Sequence, residues 1–148
     1  MLMVTTVGHE SDLIDLLHDL IKLDYDAIDA YDAAIERLDD SKAKEALAGF
    51  RKDHERHIAD LSPHLSGMGS DVPSDSGAKS ILTEDKVKVA SLIGDSAILI
   101  AMATNEAETE AAYRSASERD DIDTMLRAKF EQGLADESRH KEWMKERA

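Results

Sequence analysis

Apolar residues recur along this chain at intervals of three and four, the spacing of one face of an α-helix. Four long segments carry that pattern, with breakers between them. Residues 66–83 read as an exposed loop, because Gly67, Gly69, Pro73 and Gly77 lie there among Ser and Asp. Asp39-Asp40-Ser41 is a capping break. Gly94-Asp95 reads as a helix-ending glycine followed by a new N-cap, and Arg119-Asp120-Asp121 is the last break. The pattern predicts long helices over about 11–38, 42–65, 96–118 and 122–146, with a short helix over about 84–93. Residues 1–10 carry no such pattern and are expected to be flexible.

Two helical hairpins joined by one long connection make an all-α four-helix bundle with a crossover, the short helix riding on the connection. The tight breaks make helices 1 and 2 antiparallel neighbours, and likewise the last two. The 148 residues suit a single domain, 1–148, large enough to bury a core without staples.

At heptad-like spacing each seam is apolar at both ends and polar in the middle. Helix 1 gives Leu13, Leu17, Leu20, Asp24, Ala27, Tyr31, Ala34 and Leu38, and helix 2 gives Leu47, Phe50, His54, His57 and Leu61. The third long helix gives Leu99, Met102, Glu106, Thr109 and Tyr113; the last gives Leu126, Phe130, Gly133, Glu137, His140 and Met144. Isolated carboxylates in such a seam would each cost several kcal/mol unless paired, protonated or bound to metal. Register sharpens the point. Asp24 lies about 16 residues before the first turn, and His54 and His57 about 14 and 17 after it; Glu106 lies about 15 before the last turn, and Glu137 and His140 about 16 and 19 after it. Each polar set thus falls at one height in its hairpin. The halves also repeat, because Asp24 precedes Tyr31, and Glu106 precedes Tyr113, by seven residues.

Charge and composition narrow the chemistry. Asp and Glu number 32 against 18 Lys and Arg, a net charge of -14. That balance argues against a nucleic-acid surface and favours a cytoplasmic protein that attracts cations. Most of these carboxylates read as solvated helix faces. The most apolar stretch, residues 97–103, is far shorter than the roughly 20 residues of a membrane span, so no membrane partner is expected. With no cysteine there is no disulfide framework, iron–sulfur cluster or thiol nucleophile, and any metal must take oxygen and nitrogen ligands. There is no glycine-rich phosphate loop and no serine elbow. A second stripe on helix 1, Ile14, Ile21, Ile28 and Ile35, reads as a widened core face or a homodimer contact.

An i, i+3 pair places two side chains on one helix face so that both can grip one ion. Di-metal carboxylate bundles take one Glu from each of two helices and a Glu-x-x-His pair from each of the others. Here Glu137-Ser138-Arg139-His140 is a full match, Glu106 and Asp24 supply the single carboxylates, and His54-Glu55-Arg56-His57 has His in place of the first Glu. On these residues the chain resembles the ferritin-like superfamily over about 11–144, and Asp136 to Trp143 looks like the last-helix motif of bacterioferritins and rubrerythrins. The resemblance implies metal ligands at Asp24, His54, His57, Glu106, Glu137 and His140, with His54 standing where the family has a bridging Glu. It further implies one or two iron ions, with manganese or zinc as alternatives, and oxidation of ferrous ion by dioxygen or peroxide in stress defence. A separate protein would deliver any electrons. The alternative is a non-catalytic ferritin-like scaffold with a degenerate site.

Overall fold

Helix starts leave backbone N–H groups without partners, and aspartates supply them here. Asp12 accepts from the Ile14 N–H at 2.8 Å, Asp40 from Ala43 at 2.9 Å and Asp123 from Leu126 at 2.8 Å. These caps open α1 (Leu13–Arg37), α2 (Ser41–Gly67) and α4 (Thr124–Arg147). The remaining long helix is α3 (Asp95–Ser117). The computed structural model describes residues 5–75 and 89–148, and no strand occurs among them. The expected four-helix bundle is thus the observed architecture. Of the expected short helix, residues 84–88 lie outside the described residues, whereas Val89 and Ala90 are helical and Val89 is buried. Residues 76–83 of the expected loop also lie outside them.

One cap differs from expectation. Gly94 itself occupies the N-cap of α3 with φ +95°, and no side chain caps that helix. Asp95 turns the other way and accepts the backbone N–H groups of Asp39 and Asp40 at 2.8 and 3.0 Å. It thereby ties the start of α3 to the α1–α2 turn.

Side-chain pairs fix the topology. Tyr31 on α1 meets Glu106 on α3, while Asp24 meets Tyr113, so the two helices run antiparallel. His57 meets Asp136 and His140 meets Asp53, so α2 and α4 are also antiparallel. Since α1 is antiparallel to α2 as well, α2 and α3 share one direction. The end of α2 and the start of α3 therefore lie at opposite ends of the bundle.

The apolar core forms two bodies, one toward each end. Leu38, Leu47, Phe50, Ile98, Met102 and Met144 belong to one, and Leu16, Leu17, Leu20, Leu61, Leu126 and Phe130 to the other. Fully burying such a side chain stabilises the fold by about 1.5–3 kcal/mol. Ile21 and Ile28 are buried within the chain, and Ile14 and Ile35 pack against the core, which fits the widened-core reading of the second stripe. Residues 5–10 lie against the α3–α4 turn, where the Arg119 guanidinium donates to the carbonyls of Gly8 and Glu10. Gly8 has φ +108°, and a Cβ there would stand 2.6 Å from Cβ of Ser115, so only glycine fits.

Candidate metal centre

Between the two apolar bodies, all four helices contribute polar side chains. α1 brings Asp24, α2 His54 and His57, α3 Glu106, and α4 Glu137 and His140. Each is at most 3% exposed. The six residues singled out by the seam pattern therefore meet in space. They form two sets of possible ligands, Asp24, His54, His57 and Glu137, and His54, Glu106, Glu137 and His140. Within each set one atom per residue lies within 4.8 Å of all the others. His54 and Glu137 belong to both.

The contacts are reciprocal between the hairpins. The Tyr31 hydroxyl donates to Glu106 at 2.7 Å, and the Tyr113 hydroxyl donates to Asp24 at 2.5 Å. Tyr113 fits because α4 offers Gly133 opposite, where a Cβ would lie 2.6 Å from the ring. The histidines are held from outside. His57 Nε2 lies 2.9 Å from Asp136, and His140 Nε2 lies 2.7 Å from Asp53, which turns Nδ1 of both rings toward the carboxylates. Arg139 bonds both aspartates, at 2.7 Å to Asp53 and 3.1 Å to Asp136, and Arg56 also bonds Asp136. A carboxylate on the far nitrogen fixes the tautomer and aim of a ligating histidine.

Asp53 and Asp136 lie outside the sequence-predicted set. A signal for them exists: Asp53-His54-Glu55-Arg56-His57 and Asp136-Glu137-Ser138-Arg139-His140 share the pattern Asp-x-x-Arg-His. Each aspartate serves the histidine of the other copy, which is a relation of space rather than of spacing.

Burial works against every charge here, and neighbours decide the outcome. Burial opposes ionisation of Asp24, yet His57 and His54 hold it below the usual carboxylate value. Burial opposes a charge on His54, but Glu106 and Asp24 push it up to about 10. Glu106 is likewise held well below its ordinary value, against the effect of burial, chiefly by His54. Burial, then the charge of Glu106, raises Glu137 well above its ordinary value. Burial and the neighbouring carboxylates raise Tyr31 and Tyr113, so both remain phenols that donate.

Glu137 provides a test of fit for a metal. Both of its oxygens are buried without a hydrogen-bond donor. The nearest imidazole nitrogens stand at 3.4 Å (His57 Nδ1) and 3.5 Å (His54 Nε2), too poorly placed to donate. Without metal the group meets this by keeping its proton, beside Glu106, and a cation between it and the facing imidazole nitrogens would take that proton's place. Carboxylate oxygen and imidazole nitrogen suit iron, manganese and zinc. The donor set therefore fits a divalent cation.

Bundle and cluster together define an all-α four-helix protein whose central His and carboxylate groups could hold metal. The chain matches the family model described as a domain of unknown function, DUF2383, over residues 12–119, and it belongs to that family. The matched stretch includes Asp24, Asp53, His54, His57 and Glu106 and stops before α4. No curated protein and no solved structure matches the chain.

Proposed function

We propose that this chain is a ferritin-like protein that binds divalent metal, one ion in each of the two donor sets, with iron foremost and manganese or zinc as alternatives. The buried carboxyl group of Glu137, which no donor meets and which belongs to both sets, carries this reading. Asp24, Glu106 and Glu137 supply negative charge that favours the higher oxidation state of a bound ion. Asp53 and Asp136 hold His140 and His57 in aim. Tyr31 and Tyr113 fix one oxygen each of Glu106 and Asp24.

The reaction class we assign is oxidation of ferrous ion, taken as substrate. Two ferrous ions yield one electron each. Dioxygen takes both with two protons and leaves as hydrogen peroxide, or peroxide takes them with two protons and leaves as two waters. Oxygen uptake tests this. Metal-free protein given ferrous ion should consume oxygen faster than buffer alone, and the Glu137→Ala, His140→Ala double variant should not. Uptake no faster than buffer, with iron bound, would rule out the oxidation.

A specific observation supports a second reading. His54 stands between Asp24 and Glu106 at 2.8 and 3.0 Å, so its imidazolium closes much of the network without metal. A non-catalytic scaffold would be held by that network and would take up no ferrous ion.

A further inference from the structure

One ring in the cluster lies across the centre rather than along one side of it. Nδ1 of His54 is 2.8 Å from Asp24 Oδ1, and its Nε2 is 3.0 Å from Glu106 Oε1. Asp24 belongs to one donor set only, and Glu106 to the other only. The His54 ring centre stands 5.4 Å from that of His57 and 5.5 Å from that of His140, the histidines particular to each set. Glu137, common to both sets, has Oε1 beside His57 Nδ1 and Oε2 beside His54 Nε2.

We infer, resting on the proposed metal centre, that His54 bridges two divalent cations through its two ring nitrogens as an imidazolate. One ion takes Nδ1 with Asp24, His57 and Glu137; the other takes Nε2 with Glu106, His140 and Glu137. Each set then offers two nitrogens and two oxygens. Geometry gives the reason, because the ring turns one nitrogen to a residue particular to each set. On binding, the N–H bonds of the ring and the O–H bond of Glu137 break and their protons pass to solvent, nitrogen–metal and oxygen–metal bonds form in their place, and no electron moves. Because the ring stands between the ions, they lie farther apart than the about 3.5–4 Å of ordinary two-metal sites. Such mixed imidazole and carboxylate sets accept zinc as well as iron and manganese.

A crystal structure of the full chain saturated with zinc, with data at the zinc absorption edge, tests this. The expected result is two zinc peaks, each about 2.0–2.1 Å from a different ring nitrogen of His54. Zinc bound with His54 ligating through one nitrogen, or with His54 turned away, overturns the bridge and leaves the metal centre standing. Failure to bind zinc, ferrous or manganous ion at all overturns both. Zinc counting gives a second arm: His54→Gln should hold one ion or none, and His54→Glu should regain two. Two ions held by His54→Gln with unchanged affinity would overturn the bridge.

Discussion

Asp53 and Asp136 touch the centre through His140 and His57, whose Nδ1 atoms they turn inward. Asp136→Asn should therefore weaken metal binding about 10–100-fold while the far-ultraviolet circular dichroism stays that of the wild type. Titration calorimetry measures this, and unchanged affinity would contradict the assigned role. Glu137 makes a prediction of opposite character. It keeps its proton in the fold at pH values where the unfolded chain has lost it, so without metal this group lowers stability as pH rises from about 4.5. Asp24, Asp53 and Asp136 work the other way: held below their ordinary value, they stabilise above about 3.8, and that contribution is lost as pH falls through their lowered values. Metal-free Glu137→Gln should thus melt higher than wild type at pH 7, and its melting temperature should fall less between pH 5 and pH 7. The six central residues were legible because polar groups in an apolar seam are conspicuous. Asp53 and Asp136 were not, since each lies one position ahead of the seam, and only the folded bundle shows which histidine it serves.

At the scale of elements, aspartate caps and glycine breaks were legible from local chemistry. Asp40→Ala should cost about 1 kcal/mol through the lost cap of α2, seen as a lower melting temperature. Asp95 was misread because its partners, the Asp39 and Asp40 N–H groups, belong to a distant turn. Gly133 shows how close the helices α3 and α4 must come. Gly133→Ala gains about 1 kcal/mol of helix propensity. It also drives a methyl group into the Tyr113 ring, and overpacking of that kind costs about 1–3 kcal/mol. The net effect should be destabilising, with Tyr113 moved off Asp24. A variant as stable as wild type would show that the α3–α4 contact has more room than described.

For the whole molecule, the two hairpins and the shared height of their polar residues followed from period and turn position. The crossover direction is seen only in which residues touch: Tyr31 with Glu106, and His57 with Asp136. Among the described residues, no helix is long and apolar enough to cross a membrane. The net charge of -14 attracts cations everywhere on the surface, but salt screens such weak binding. A buried centre keeps its ions and links them to folding. Ligand at 100 times its dissociation constant adds about 2.7 kcal/mol per site, so saturating metal should raise the melting temperature.

The most direct test of the central claim counts metal. The protein is stripped with chelator, reloaded with ferrous ion without oxygen, washed in high salt and assayed by elemental analysis. Two ions per wild-type chain are expected, and none in the Glu137→Ala, His140→Ala variant. A wild-type chain that retains no iron, or a variant that retains as much as the wild type, would contradict a metal centre built on these residues.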